Sequence, residues 1–346
     1  MKLQHYICCL LMVSFSFSTL ANAQSTIDVL HAEKYIEVPK DLKKEKRTPV
    51  KIITRKDSSE PPLFTECTIN YDDYNNRIFI SEYTKSRIII FDEDLNYVGE
   101  LRPGWYDFPI GIDFDKNGRF VVSDNRSAQL FDKDSNFLNE YELYGITNSP
   151  ALFDSRNNIV IYSVEDTTLF TVYDTNGEKI SRFGEPLGFR DPKARGQPWN
   201  YLYNGLHYVI DDEGYLFCAF RDHPIMRKYD PKGNLVLEAD YFNIPGVSDR
   251  LKDWQKEWGR EKGKSDTYYS VKGFVTSLSV DKNYLYARFF GYNKPVYVFD
   301  KENFKLVKKY ELFGTRQERL ARIFDASSKD YIYAITARGN LVRYDK

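Results

Sequence analysis

Arg221-Asp222-His223-Pro224 sets a guanidinium, a carboxylate and an imidazole side by side. An imidazole next to a carboxylate is the pairing a general base needs, which makes His223 and Asp222 candidates for catalysis. The same residues also serve as a plain solvated turn. The carboxylates Glu82, Glu165 and Asp222 fall at the ends of separate β-rich segments. Brought together, they would offer a metal hard oxygen ligands. Asp113-x-Asp115-x-Asn117-Gly118, followed by Asp124, has most of the spacing of a calcium-binding loop. Its twelfth position holds Asp rather than the bidentate Glu, and no helices flank it. A repeating strand–turn–strand motif accounts for each residue without calcium.

Other chemistry-bearing residues suit recognition better than bond breaking. Trp105, Tyr106, Trp199 and Tyr292 stand near Arg126, Arg221, Lys294 and Arg338 in loop-like stretches. Aromatic faces stack on sugars or peptides, and guanidinium groups bind carboxylates in bidentate fashion. The chain has no Gly-x-Ser-x-Gly, His-Glu-x-x-His, Walker loop or Cys-x-x-Cys, so the common hydrolase, zinc and nucleotide signatures are missing. No cofactor is expected. Lys plus Arg number 49 against 50 Asp plus Glu, so no global field draws the chain to nucleic acid. The locally basic stretch 40–56 lacks interleaved aromatics and reads as a solvated linker.

The elements that would hold these residues announce themselves as a repeat. An aromatic-Asp pair closes a β-rich run at Phe91-Asp92, Phe131-Asp132, Tyr173-Asp174, Tyr229-Asp230, Phe299-Asp300 and Tyr344-Asp345. The closest spacings are near forty residues, the length of a four-stranded propeller blade. In the second copy, strands are expected over 110–114, 119–123, 128–131 and 137–143, with Asp115-Lys116-Asn117-Gly118 as a hairpin turn. Four short strands cannot bury both faces alone, so neighbouring blades must stack on them. The run Pro109–Asp113, Gly118–Asp124 and Leu130–Asp132 resembles an NHL repeat. The chain as a whole is similar to the NHL-like and TolB-like six-bladed propellers common among exported bacterial proteins. The resemblance implies an all-β, six-bladed β-propeller. It leaves function open, since such families include binding scaffolds, lactonases and lyases.

The sixth copy stops one strand short, and Val50–Arg55 is available to complete it, which closes the ring and protects its edges. Cys67 and Cys218 then fall in opposite blades, too far apart to bridge. The short turns between first and second strands, and between third and fourth, share one face, which is expected to be chemically plain. The longer loops share the other, together with the connection 187–204 and an insertion over 242–273. Within the insertion 248–262 reads as a short helix, with Leu251, Trp254 and Trp258 on one stripe. His207, near an inner strand, either points into the axial channel or packs.

Lys2, the apolar stretch 6–20 and Ala21-Asn22-Ala23 read as a cleavable signal peptide over residues 1–23, with the mature domain spanning 24–346. No later apolar run approaches membrane length. The expectation is a periplasmic or secreted, non-catalytic binding or scaffold protein that recognises glycan or protein through its long-loop face. The alternative is a lactonase-like or polysaccharide-lyase-like enzyme with its site at the channel mouth.

Overall fold

The computed structural model describes residues 32–53, 67–101, 108–124, 126–143, 149–165, 168–187, 204–250, 252–253, 273–290, 295–312, 323–336 and 339–346. Among them the chain is nearly all β. Six small sheets follow one another around a ring, giving a six-bladed β-propeller. Blade two runs Gly111–Phe114, Phe120–Ser123, Ser127–Phe131 and Phe137–Glu142, within a residue or so of the sequence expectation. The innermost strands of the other blades begin at Cys67, Leu152, Leu206, Val275 and Ile323.

The aromatic-Asp repeat has a local physical cause. In blades one to five the third strand ends at the aromatic-Asp pair and the Asp side chain caps the hairpin to the fourth strand. Asp132 Oδ1 accepts the backbone N–H groups of Asp134 and Asn136, while Oδ2 accepts the Asn136 amide. Asp92 with Asn96 and Asp230 with Asn234 repeat the arrangement. Such bonds lower the Asp carboxyl from its ordinary value, as at Asp132, where the Asn136 side-chain bond is the main cause. A register shift at this point in blades one to five bulges the outer strand. A bulged edge is a poor template for pairing with another chain.

Six hydrophobic clusters make up the core, one for each interface between neighbouring blades. Polar bonds run around the ring as well. Asp113 of blade two accepts the Phe153 N–H of blade three at 2.7 Å, and Asp325 of blade six accepts the Tyr71 N–H of blade one at 2.7 Å. Between blades four and five, Lys301 Nζ binds Asp211 at 2.7 Å and Lys228 Nζ binds Glu302 at 2.8 Å.

Lys51–Ile53 pairs antiparallel with Leu341–Asp345 and supplies the missing fourth strand of blade six. The stretch upstream is not a solvated linker. Lys43–Arg47 adds a parallel fifth strand to the outer edge of blade five, in register from Lys43 opposite Lys308 to Arg47 opposite Leu312. Tyr35 bridges to Asp240 of blade four, and Ile36 is buried in the cluster between blades four and five. The N-terminal segment therefore straps three consecutive blades. Its basic residues escaped recognition as a strand because they pair across the sheet instead of alternating with apolar ones: Lys44 meets Glu311 at 2.6 Å, and Lys308 meets Glu45 at 3.7 Å.

Candidate functional site

The innermost strands leave an axial opening with two joined cavities. The larger, about 680 Å³, is walled by residues of all six blades. Aromatic surface comes from Tyr71, Tyr83, Phe108 and Tyr208, and polar groups from Asn70, Asp113, His207, Ser277, Ser279 and Asp325. Tyr83, Thr84 and Ser149 place it toward the long-loop side. The smaller, about 540 Å³, lies among the short turns between first and second strands.

Residues on the innermost strands reach the axis because neighbours along a strand point to opposite faces. His207 and Tyr208 show this. The Tyr208 hydroxyl turns into the wall and donates to the carbonyls of Pro150 and Val160, while His207 is half-buried and lines the cavity. The protein around the imidazole, with Arg221 adding positive charge, pushes its pKa down to about 4, so it is neutral at physiological pH. Asp113 goes the other way. Burial pushes its carboxyl up to about 7, against the lowering effect of N–H bonds from Phe153 and Phe114, and Asp72 and Asp325 add repulsion.

The short-turn face is not plain. Asp72, Asp115, Asp154, Asp211 and Asp281 line its cavity, each opening the turn that leaves an innermost strand. Asp115 Oδ1, for example, accepts the N–H groups of Asn117 and Arg119 at 2.9 Å. The carboxylates of the calcium-like string thus serve three separate places. Asp113 bonds across to blade three, Asp115 caps its own hairpin, and Asp124 Oδ1 accepts the N–H groups of Arg126 and Ser127. No three His, Cys, Asp or Glu among the described residues come together to hold a metal ion.

The Arg221–Pro224 turn anchors the insertion. His223 is 0% exposed and Asp222 is buried. Asp222 Oδ1 accepts the Gly273 N–H at 3.2 Å, and the Tyr241 hydroxyl donates to the carbonyls of Phe220 and His223. Arg221 is half-buried, and its carbonyl accepts the Phe274 N–H at 2.6 Å. Both roots of the insertion are therefore pinned on this one turn. Neither Asp222 nor His223 lines either cavity; the structure brings them to a buried hinge rather than to a place where a solvated base would act. Residues 247–250 and 252–253 are helical, at the start of the expected helix; Leu251, Trp254 and Trp258 lie outside the described residues.

Glu82 is 0% exposed and its Oε2 accepts from Arg87 Nε, with Arg87 1% exposed and Glu100 reaching Arg87 Nη1 at 3.2 Å. The pair sits at the base of the turn Tyr83–Lys85, which walls the larger cavity. Arg126 is exposed. Trp105, Tyr106, Trp199, Tyr292, Lys294, Arg338, the side chains of Glu165 and Cys67, and the signal segment lie outside the described residues. Sequence reasoning missed Asp113 as a channel group, along with Asn70, Ser277, Ser279 and Asp325. The available signal was polar residues recurring within strands that packing alone would make apolar.

No family model matches the chain, and no curated protein matches it. Among solved structures it is similar to a protein of Bacteroides fragilis NCTC 9343 described as exported, with 12% identity and a TM-score of 0.55 over 88% of this chain and 98% of that one. It is similar to a catalytically inactive virginiamycin B lyase from Staphylococcus aureus with quinupristin, with 12% identity and a TM-score of 0.51 over 92% and 98%. The WD40 domain of Neurospora crassa Pan2 matches with 11% identity and a TM-score of 0.52 over 90% and 97%. At such identities the likeness establishes the propeller architecture alone.

Proposed function

We propose that this chain is an exported binding propeller that takes part of a glycan or peptide into its axial cavity from the long-loop side. The observation carrying this reading is the cavity of about 680 Å³, where Tyr71, Tyr83, Phe108 and Tyr208 alternate with hydroxyl, amide and carboxyl groups. A concave site of that size, mostly apolar with a few convergent polar groups, is the usual form of a ligand pocket. Export is supported by the N-terminal sequence pattern. The candidates Trp105, Tyr106, Arg126, Trp199, Tyr292, Lys294 and Arg338 enter as rim residues on sequence grounds.

A second reading, a lactonase-like or lyase-like enzyme, is favoured by one feature. Asp113 and His207 border the same cavity with pKa values moved toward each other's usual range, as an acid/base pair requires. One experiment addresses both readings. Glycan and peptide arrays are probed with wild-type protein and with Tyr83→Ala and His207→Gln, and the hits are incubated and checked for a change of mass. Binding that drops about tenfold or more in the variants, with ligand mass unchanged, is the expected result. Binding indifferent to both substitutions refutes the cavity, and a mass change moves the protein to the enzyme reading.

A further inference from the structure

Tyr71, Asp113, Ile210, Val280 and Ser327 border both cavities and so form the waist between them. The charges acting on Asp113 are negative, from Asp72 and Asp325. Asp325 holds Tyr71 N–H and Ser279 Oγ, and Asp72 holds the Tyr74 N–H. Below the waist, aspartates outnumber the lysines Lys116 and Lys282 along the wall. Lys346, at the edge, is already engaged by Asp281 Oδ2 at 2.6 Å and the Ala326 carbonyl. Above it His207 is neutral at physiological pH. Two oxygens of residues that line the larger cavity also lack partners, Asn70 Oδ1 and Ser327 Oγ, although both atoms are buried. Buried acceptors without donors are costly, and a low-dielectric channel concentrates their field.

We infer that the ligand entering the axial cavity carries a primary ammonium or guanidinium group, and that Asp113 at the waist receives it. This rests on the cavity being the binding site. The group brings several N–H donors and one positive charge to a place that offers acceptors and negative charge. A divalent metal fits less well, because no three metal-ligating side chains converge among the described residues. An anionic ligand end would be repelled.

The linkage to protons follows from Asp113. Its carboxyl titrates near 7 in the empty protein, and pairing with a cation favours the ionised form. The groups facing it are Asp72 of blade one, Asp325 of blade six, the Tyr208 hydroxyl of blade four and the Phe153 N–H of blade three. Asp115 beside it is tied to Arg119 at 2.6 Å, and His207 titrates near 4, outside the window. Binding at pH 6 therefore releases close to one proton, and binding at pH 8.5 releases almost none. Because only the ionised fraction is competent, affinity rises about tenfold from pH 6 to pH 8 and then levels.

The test is titration calorimetry of the full chain with Nα-acetylarginine amide, Nα-acetyllysine amide and, at pH 6 where their amines are charged, glucosamine oligomers. Nα-acetylcitrulline amide, Nα,Nε-diacetyllysine amide and N-acetylglucosamine oligomers are the uncharged counterparts, and each titration is run in buffers of different ionisation enthalpy. The expected result is binding of the charged members only, with proton release at pH 6. The amides against the glucosamine oligomers show whether the cation belongs to a peptide or a sugar. Asp113→Asn, checked for folding by thermal melt, should flatten the pH profile. Equal binding of charged and uncharged members, lost in Tyr83→Ala, keeps the cavity and overturns the cation. Charged binding that survives Tyr83→Ala and releases no proton places the ligand elsewhere and overturns both. Calcium displacing the probes stoichiometrically replaces the organic cation with a metal and overturns the inference. If Asp113→Asn does not fold, proton release by the unaltered chain still decides.

Discussion

Arg87→Met removes one partner of the most deeply buried ion pair near the cavity. Glu82 is 0% exposed and depends on Arg87 Nε for its charge compensation, while Glu82 Oε1 and Arg87 Nη2 have no hydrogen-bond partner. Stranding a buried carboxylate costs about 3–5 kcal/mol, whereas replacing both members by apolar groups of similar volume is often neutral or stabilising. Unfolding entropy of ~2.1 cal/mol/K per residue gives ~0.6 kcal/mol/K for a domain of roughly 300 residues, so Arg87→Met should lower Tm by about 5–8 °C. Scanning calorimetry of Arg87→Met, Glu82→Leu and the double variant is the assay. The double variant should melt within about 2–3 °C of the wild type. The single change should also weaken ligand binding, because the pair sits at the base of the Tyr83–Lys85 turn, which walls the cavity and is closed by a long Ser86 N–H to Tyr83 carbonyl bond of 3.4 Å, with Ser86 at φ 49°. A Tm drop below 2 °C for Arg87→Met would mean that the pair contributes little. A double variant as unstable as the single one would refute the reasoning on stranded charge.

Two further outcomes follow from the strap and the thiol. Starting the chain at residue 49 keeps the closing strand but removes Ile36 and the strand Lys43–Arg47; loss of the Ile36 burial alone costs about 2–3 kcal/mol, read as a lower denaturant midpoint with folding retained. Starting it at residue 54 also opens blade six, and a lower m-value or aggregation is expected. Cys218 is buried and burial pushes its thiol up to about 12, so iodoacetamide should leave it unmodified in native protein and label it fully after unfolding without reductant. Native labelling would contradict its place between blades three and four.

The parts of the fold that could be read in advance are those fixed by local bonds. Asp132 and Asn136 specify their hairpin within five residues, so the repeat is visible wherever that bond recurs. The closing strand was legible by deficit, since the last blade lacked one strand and only one β-rich run had no blade. Lys43–Arg47 was not, because its partners Glu311 and Lys308 lie far along the chain and its charges mimic a solvated segment. The candidate site divides along the same line. The Asp222-His223 pair looked chemical because its members adjoin in sequence, yet what decides their role is Tyr241, whose hydroxyl bonds the carbonyls on both sides of Asp222.

Asp113 carries the opposite lesson. Its sequence neighbours mark it as an ordinary strand residue of a repeat unit, while the charges that act on it come from Asp72 and from Asp325, more than two hundred residues away and brought near by closure of the ring. A propeller makes this unavoidable. Each blade is specified locally and repeats the same solution, so the residues that define blades are redundant and easy to see. The axial site takes a few residues from each blade, and nothing in any single blade constrains them to a motif. The strap over blades four to six therefore matters for the site as well as for stability. By packing Ile52 between blades five and six and Ile53 between blades six and one, it holds blade six, and with it Asp325, in place beside the carboxyls it faces.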